Sequence, residues 1–583
     1  MRRHTTNRMR SCAALFPLLI PVVPVRAQIA DVVTGQYNNS RTAANTHETA
    51  LTPSNLSAST FGLLFAQPVD AAFYAQPLYV HGLTINGAFH NVVFVATMND
   101  TVYAFDADTA QAALWSITLG TPVTISPGVS FGILSTPVID TNSQTLFVVA
   151  YATEAGSPVY RLHALNLLTG TEMTNVVVQA AVAGTGDDSQ TTPCASGNGT
   201  SVPPPCIPFI ASQQLQRPAL LEDTARGIVY LTFGALNGAE PTHPYHGWLI
   251  GYGYSGGAFT QTMVFNSTQN ATQSGRPCSG PAPPTNQCGH GAGIWMSGRG
   301  PALDNTGIYV VTGNGGYGGP GTGNWGESAL RLSRTGVVED FFAPSNYATL
   351  NAKDLDLGDA GILLFSSTNA AAPNLALAGG KPGVVYVMNR ANLGRLTSTN
   401  SGAIQVLTQT PQGCGTGPGQ GDCYEIHSPA FWPRTNAAPI LYVWAYGDVL
   451  RAWDFNAATN QFAADANQGT VTAPYYAGGA LTVSANGNSD GIVWGIAATT
   501  SSAPGQGALY AFDATNVATQ LWVSTDYWFS TKFAIPTVAN GKVYVPATAS
   551  PHGASPKSPP QLCVYGPISG ASSQPAGASR AAR

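Results

Sequence analysis

Charged residues are scarce in this sequence: Asp, Glu, Lys and Arg make up only 9% of the 583 residues, and the net charge is −5. No basic stripe occurs, so nucleic acid is not expected as a partner. After the first 27 residues, no apolar run reaches the about 20 residues that a membrane-spanning helix needs. There is no Gly-x-Ser-x-Gly motif. The glycine-rich stretch 313–326 does not lead into a helix, which argues against a phosphate-binding loop.

Glycine (64 residues) and proline (42) are abundant, and 44% of the residues are hydrophobic. Together with the low charge, this composition indicates one large all-β domain, expected over 28–566, with a flexible tail over 567–583. Four arginines between positions 2 and 10 precede the short apolar core 12–23, which predicts a signal peptide over 1–27. Its removal takes away five arginines and no acidic residue, so the net charge falls to −10. We therefore expect a secreted or periplasmic protein.

Two distant segments repeat one pattern. Residues 101–115 read TVYAFDADTAQAALW and residues 508–522 read ALYAFDATNVATQLW. In both, a Tyr-Ala-Phe-Asp strand is followed by a polar turn and Leu-Trp, with Trp115 and Trp522 each twelve positions after the tyrosine. A β unit that repeats along a chain dictates its architecture, and units of roughly fifty residues favour a propeller.

Short strands that open with a small residue or proline allow the blades to be counted. Eight such starts occur, at 75–80, 135–140, 216–221, 299–304, 358–365, 427–432, 478–483 and 534–539. Each precedes another β-rich segment, so the sequence predicts an eight-bladed β-propeller. Ring closure requires the two chain ends to meet, and FGLLFAQPVD (61–70) is expected to add a strand to the last blade.

Two further features follow from this architecture. Trp115 and Trp522 are expected to wedge between neighbouring blades, with ligand binding as the alternative role. Four longer gaps between repeats carry insertions that we expect on the rim, where propellers usually bind their partners: 177–215, 266–298, 313–327 and 409–426.

Six cysteines fall into three local couples within loops rich in glycine, proline, serine and threonine. The expected disulfides are Cys194 with Cys206, Cys278 with Cys288, and Cys414 with Cys423. Such bonds restrict long loops that no core holds, and they agree with export. Cys563 is left over, and its setting QLCVYG predicts a free cysteine buried in a strand. No Cys-x-x-Cys occurs, which weakens zinc ligation and removes a covalently attached haem.

The repeat VYAFDA-x-T followed by Leu-Trp resembles that of the pyrroloquinoline quinone (PQQ) enzymes, eight-bladed propellers that include the quinoprotein alcohol dehydrogenases. More of the chain resembles a secreted bacterial subgroup of PQQ-like propellers. The stretches that carry this second resemblance are 32–56, 216–234, 244–252, 293–315, 354–365 and 426–432. As a fold signal the resemblance covers most of 30–565; most members of the subgroup have no assigned reaction.

The resemblance implies a quinone, a calcium ion and a catalytic aspartate, and the chain departs from that set. The vicinal Cys-Cys disulfide that covers the quinone is absent, because no two cysteines are adjacent. Asp354, Asp356 and Asp359 in KDLDLGDAG are the one acidic cluster of similar character. Asp354 and Asp356 are candidate ligands for a hard cation, and Asp359 is the candidate general base. The alternative is that all three carboxylates cap turns. PQQ with calcium therefore stays open as the cofactor.

In a propeller of this kind, residues just ahead of the innermost strands point toward the central channel. Here they are Gln76, Arg217, Arg299, Asp359, His427 and Lys532. The cations among them suit an anionic tricarboxylate quinone, so Gln76, Arg217, Arg299, His427 and Lys532 are the candidate cofactor-binding residues. The alternative is a plug of hydrogen bonds and ion pairs that ties the blades together. His243, His246 and His290 form a weaker candidate metal site, with surface hydrogen bonding as the alternative.

Two functions are compatible with these features. The first is a non-catalytic, monomeric binding or scaffold protein of the cell envelope or extracellular space, whose rim loops bind a protein or a glycan. The second is a divergent PQQ-dependent oxidoreductase that acts on an alcohol, a sugar or a polymer. A fold alone does not decide between them.

Overall fold

The computed structural model describes Met1 and residues 30–236, 245–272, 290–408, 425–474, 478–499, 506–525, 528–529, 533, 535–547 and 560–568. The expected signal peptide 1–27 and tail 567–583 lie almost wholly outside these residues and stay predictions.

Eight antiparallel sheets, each with four principal strands, form an eight-bladed β-propeller, as the repeat predicts. We number the blades in chain order and give their strands from the innermost outward. The strands of blades 1 to 4 are Leu78–Ile85, Ala88–Ala96, Thr101–Asp106 and Trp115–Thr118; Val138–Asp140, Thr145–Glu154, Ser157–Asn166 and Glu172–Val177; Leu221–Asp223, Ile228–Ala235, Trp248–Ser255 and Ala258–Asn266; and Ala302–Leu303, Ile308–Val311, Ala329–Leu332 and Val338–Ala343. Those of blades 5 to 8 are Ile362–Ser366, Asn374–Gly379, Val384–Asn389 and Gln405–Thr408; Ala430–Trp432, Ile440–Val443, Val449–Asn456 and Asn467–Thr472; Ala480–Asn486, Ser489–Ala498, Gln506–Asp513 and Asn516–Val523; and Thr537–Ala539, Lys542–Ala547, Gln561–Pro567 and Phe61–Pro68.

The ring closes as predicted. The amino-terminal strand Phe61–Pro68 pairs antiparallel with Gln561–Pro567 and is the outermost strand of blade 8. Because one blade contains both ends of the propeller, opening the ring requires breaking a full strand pairing as well as a blade interface.

The apolar core lies between neighbouring blades. The Trp115 indole nitrogen of blade 1 donates to the Leu167 carbonyl of blade 2 at 3.1 Å, and its ring packs on Gly170. Trp522 of blade 7 contacts the ring of Phe61 in blade 8, with centroids 5.0 Å apart. Both tryptophans are buried, so the expectation that they wedge between blades is confirmed.

The segment 32–48 contacts every blade in turn, which the sequence did not lead us to expect. Its hydrogen bonds follow the ring: Val32 with Tyr79, Val33 with Ile139, Asn39 with Glu222 and Leu303, Ser40 with Leu364, Thr42 with Phe431, Ala43 with Val483, and Glu48 with Gly541. Ala44–Asn45 also forms a short parallel strand beside Ala480–Asn486. Because most of these partners belong to innermost strands, the segment runs around the inside of the ring and joins all eight blades.

Arg41 anchors this segment. Its guanidinium is fully buried and donates to the Thr34 hydroxyl and to three carbonyl groups, of Gly35, Leu220 and Pro301, at 2.7–3.1 Å. Burial, with a contribution from the charge of Arg299, lowers the pKa of Arg41 to about 9, so the side chain remains charged at neutral pH.

Three of the four insertions meet one another. The Gly186 amide donates to the Gln269 carbonyl at 3.0 Å, and the Asn270 side chain donates to the Thr322 carbonyl at 2.8 Å. The disulfide between Cys194 and Cys206 is present as predicted. The other two expected pairs, Cys278–Cys288 and Cys414–Cys423, lie outside the described residues, as does nearly all of the fourth insertion. Cys563 is buried and free, as expected.

The remaining elements are short. The one α-helix of the described residues is Tyr347–Lys353, and the 3-10 helices are Pro53–Asn55, Gly197–Gly199, Ala211–Gln213, Met296–Gly298 and Leu357–Ala360. Further strands are Val123–Ser126, Val129–Phe131, Ala181–Ala183, Cys194–Ala195, Ser201–Val202, Cys206–Pro208, Gln214–Leu215, Tyr317–Gly319, Asn324–Trp325, Arg395–Leu396, Gln461–Phe462 and Trp528–Phe529. Within the described part of the chain, no helix has the length and apolarity to cross a membrane.

Candidate functional site

A buried polar cluster lies at the end of the channel where the innermost strands begin. Asp359 belongs to the 3-10 helix that precedes the innermost strand of blade 5, and His427 stands three residues before that of blade 6. The His427 Nδ1 atom is 2.9 Å from Asp359 Oδ2. The Ser297 hydroxyl donates to Asp359 Oδ1 at 2.6 Å and lies 3.1 Å from His427 Nδ1. All three side chains are buried, so they form one closed hydrogen-bonded group. We call this end of the channel the mouth.

An unusual turn presents Ser297 to this cluster. Met296, Ser297 and Gly298 have φ values of 44°, 43° and 81°, in the left-handed region that non-glycine residues rarely adopt. A strained backbone persists where surrounding contacts fix it, and such strain concentrates at functional or structurally critical positions. The bonds of Ser297 to Asp359 and His427 provide that fixation.

His427 lies between two carboxylates. Its Nε2 atom is 3.4 Å from Glu425 Oε2, on the side opposite Asp359. Burial disfavours the imidazolium, but the charge of Asp359 and the hydrogen bonds to Asp359 and Glu425 outweigh it and raise the pKa of His427. Burial likewise opposes the charged form of Asp359, yet His427 lowers its pKa below the usual range. The pair therefore favours an imidazolium beside a carboxylate, an arrangement that stabilises structure rather than supplying a free base.

The same three groups can also hold a metal ion. One ligand atom each from Asp359, Glu425 and His427 lies within 4.8 Å of the others. An imidazole with two carboxylates suits zinc, manganese or iron better than calcium, which prefers oxygen ligands throughout.

Two predicted cofactor-binding residues are held inside the ring. The buried Arg299 guanidinium donates to the backbone carbonyls of Arg41 and Pro429. Burial lowers its pKa to about 9. The Gln76 side chain accepts from the Gln36 amide at 2.8 Å and donates to the Thr537 hydroxyl at 3.1 Å. These contacts tie blades 1, 4, 6 and 8 to the inner segment.

Arg217 lies at the mouth against aromatic rings. Its guanidinium is 4.3 Å from the ring centroid of Phe533 and 5.4 Å from that of Trp295. Phe533 also contacts His427, with ring centroids 5.4 Å apart. The structure thus brings Arg217, Asp359 and His427 to one mouth, whereas Lys532 lies outside the described residues. The cofactor-binding and catalytic roles of these residues stay predictions.

The candidate metal ligands Asp354 and Asp356 are bound to a lysine. Lys381 Nζ is 2.6 Å from Asp356 Oδ2 and 3.4 Å from Asp354 Oδ1. Asn314 also donates to both carboxylates, through its amide nitrogen to Asp356 at 2.8 Å and through its side chain to Asp354 at 2.5 Å. Burial, followed by the charge of Asp356, raises the pKa of Asp354 to about 6. This pattern is typical of ion-paired caps, and the metal role is untested.

The histidines of the insertions form hydrogen bonds. His246 Nδ1 is 2.8 Å from the Thr268 hydroxyl, and its Nε2 is 3.0 Å from the Asp187 carbonyl. His290 Nδ1 is 2.8 Å from Asp187 Oδ2. Burial lowers the pKa of His246 to about 4, which keeps the ring neutral. His243 lies outside the described residues.

Sequence reasoning missed Ser297 and Glu425. Each stands two positions before a residue that was singled out, Arg299 and His427 respectively. A signal existed for Ser297, because the flanking glycines of MSGRG indicate a tight turn just before an innermost strand. Glu425 follows a long insertion, and only the ring geometry places it beside His427.

Solved structures similar to this chain include quinoprotein alcohol dehydrogenases. Quinohemoprotein alcohol dehydrogenase from Pseudomonas putida HK5 matches with a TM-score of 0.57 and 14% identity, covering 95% of this chain and 82% of that chain. The quinohemoprotein alcohol dehydrogenase of Comamonas testosteroni has a TM-score of 0.57 and 14% identity, covering 93% of this chain and 81% of its own. A europium-containing methanol dehydrogenase has a TM-score of 0.52 and 12% identity, covering 92% and 98% respectively.

No protein-family model and no curated protein sequence matches the chain. Identities of 12–14% carry information about the fold alone. Membership of the secreted subgroup stays a prediction. The chain therefore shares the eight-bladed architecture of the quinoprotein alcohol dehydrogenases.

Proposed function

We propose that this protein is an exported, non-catalytic binding protein of the cell envelope or extracellular space, built on a PQQ-like propeller. The observation that carries the proposal is the state of the mouth: Arg299 donates to two backbone carbonyls, and Asp359 is bound by His427 and Ser297. Groups that satisfy one another inside the protein hold blades together and are not available to bind a charged ligand without leaving buried partners unpaired.

The described residues do not fit PQQ with calcium. A quinone carboxylate needs a cation that is not already committed, yet the backbone carbonyls of Arg41 and Pro429 engage Arg299. A calcium ion needs several oxygen ligands. Lys381 occupies the space between Asp354 and Asp356, and His427 is the immediate partner of Asp359. No reaction step is therefore derived through a quinone.

Two features support export and a binding role. The disulfide between Cys194 and Cys206 agrees with an oxidising compartment. The inner segment 32–48 and the closed ring make a rigid body that can present surface loops to a partner. The nature of that partner, a protein or a glycan, and the monomeric state belong to the proposal.

Reconstitution with PQQ and calcium tests the proposal. We expect no quinone absorbance to co-purify with the protein and no dye-linked oxidation of alcohols or aldoses. Quinone binding that disappears in an Arg217→Ala and Lys532→Ala double variant would overturn the proposal in favour of the oxidoreductase. Arg226→Ala is the control, because Arg226 is exposed and follows the innermost strand of blade 3 at the end away from the mouth.

A further inference from the structure

A cavity of about 1200 Å³ lies at the end of the channel opposite the mouth. Asp359 and His427 precede the innermost strands of blades 5 and 6, whereas the cavity is lined by the residues that follow these strands, 366–368 and 433–439. The inner segment at 38–42 and the turn of blade 6 around 456–462 complete its wall. The cavity and the mouth cluster are therefore separated by the length of the strands.

The floor of the cavity is apolar and rigid. Phe365 and Phe431 are buried with ring centroids 4.7 Å apart, and Phe455 lies 5.2 Å from Phe365. Phe462 packs on the same group, with its centroid 5.1 Å from that of Phe455. Four interlocked rings leave little freedom to the residues above them, so the cavity is preformed.

The walls carry neutral polar groups, several of which have no partner in the protein. The hydroxyl groups of Ser40, Ser366 and Thr368 and the side-chain amide of Asn436 line the cavity. None of these four side chains makes a hydrogen bond within the described residues. The contrast with the mouth is direct, because there each polar side chain is engaged.

The lining holds almost no net charge. Its charged residues are Arg434 and Asp454, which face each other at 3.4 Å. Arg434 is further held by a 2.7 Å hydrogen bond to the Ala438 carbonyl and by the face of Trp432, 4.9 Å away. A nucleotide, a phosphorylated lipid or an acidic peptide needs uncompensated cations, which this lining does not provide.

We propose that this cavity binds a neutral oligosaccharide. Open hydroxyl and amide groups above an apolar floor complement a ligand that alternates hydroxyl groups with C–H faces. The volume exceeds the about 300–1000 Å³ of ordinary small-molecule sites, which favours several linked sugar units over a monosaccharide. The inference rests on the proposed function, to which it adds the ligand class and the place of binding.

Isothermal titration calorimetry with neutral hexasaccharides tests the inference: cellohexaose, xylohexaose, mannohexaose, maltohexaose and chitohexaose. We expect at least one to bind with a Kd of millimolar or tighter. Ser366→Trp fills the cavity from an exposed position and should weaken binding at least tenfold. The matched control is Asn305→Ala, since Asn305 is exposed on the corresponding turn of blade 4 and should leave the affinity within twofold.

Three results would overturn the inference: no binding of any neutral hexasaccharide, unchanged binding in the cavity variant, or tighter binding of hexagalacturonic acid than of every neutral ligand. If Ser366→Trp fails to fold by circular dichroism, the double variant Thr368→Val and Asn436→Ala should weaken binding at least fivefold instead. The quinone assay is run on the same preparation. Absence of both quinone and glycan binding removes the inference alone, whereas quinone binding with alcohol oxidation removes the proposed function.

Discussion

The two ends of the innermost strands of blades 5 and 6 differ in how their polar groups are used. At the mouth, Asp359, His427 and Ser297 bond one another in a buried cluster. At the other end, Ser366 and Asn436 border a cavity without a side-chain partner among the described residues. A polar group that is satisfied inside the protein contributes to stability, whereas one left open beside a preformed cavity is available to a ligand. The comparison predicts which substitutions damage folding and which do not.

The largest effect is expected from Arg299→Ala. This change removes a buried cation and leaves the carbonyls of Arg41 and Pro429 without their donor, at a cost of about 3–5 kcal/mol in the free energy of unfolding. Urea denaturation at pH 7 measures it. Arg434→Ala at the cavity is the matched control, expected to cost about 1 kcal/mol or less because its partner Asp454 is largely exposed. Equal costs for the two arginines would refute the comparison.

Asp359→Asn is expected to come next. The amide removes the charge that holds the imidazolium of His427, and the loss should be about 2–3 kcal/mol, since hydrogen bonds to charged groups are stronger than neutral ones. Thermal and urea unfolding both report it. Asp454→Asn, which breaks the exposed pair with Arg434, serves as the control and should change stability by about 0.5 kcal/mol. A neutral Asp359→Asn variant would contradict a structural role for the cluster.

Asp100 provides a test that depends on pH. It lies in the turn at the mouth end of blade 1, and burial raises its pKa to about 8 from 3.8. Between these values the folded protein retains a proton that the unfolded chain loses, so the stabilisation is complete below pH 3.8 and is lost as pH rises toward 8. Asp100→Asn cannot lose that proton, so its stability relative to the native chain should increase between pH 5 and 7.5 by about 1–3 kcal/mol.

The measurement for Asp100 is urea denaturation at both pH values. Asp465→Asn, at an exposed position, is the control and should show the same pH dependence as the native chain. A parallel course for Asp100→Asn and the native chain would show that Asp100 is ionised in the folded protein.

The smallest effect on stability is expected at the cavity. Asn436→Ala removes an exposed amide that bonds no other side chain, so the free energy of unfolding should change by about 0.5 kcal/mol or less. Differential scanning calorimetry without ligand checks this. A loss above about 2 kcal/mol would indicate a structural role for the cavity wall and weaken the distinction between the two ends.

Much of the fold follows from local patterns in the chain. The matched Tyr-to-Trp spacing in 101–115 and 508–522 and the eight strand starts predict the number of blades. They do so because each blade is a local unit whose apolar faces the next blade covers. The closing strand 61–68 and the disulfide between Cys194 and Cys206 follow from similar reasoning and are confirmed.

The candidate site was only partly accessible from sequence. Arg217, Asp359 and His427 were identified because they precede innermost strands, and such positions meet around one channel. Sequence could not tell that Arg299 donates to carbonyls, since the partners Arg41 and Pro429 are 258 and 130 positions away. The same holds for Glu425, whose contact with His427 depends on how an insertion returns to the ring.

The sequence by itself determined the repeat, the number of blades and the residues that point toward the channel, because strand periodicity and turn chemistry are local properties. Only the tertiary structure decided the path of segment 32–48 through all eight blades, the pairing at the mouth and the position of the cavity. These features arise between residues tens to hundreds of positions apart, and closure of the ring brings them together. Whether a polar side chain is satisfied or open depends on that long-range arrangement, and this arrangement separates the structural end of the channel from the end proposed to bind a ligand.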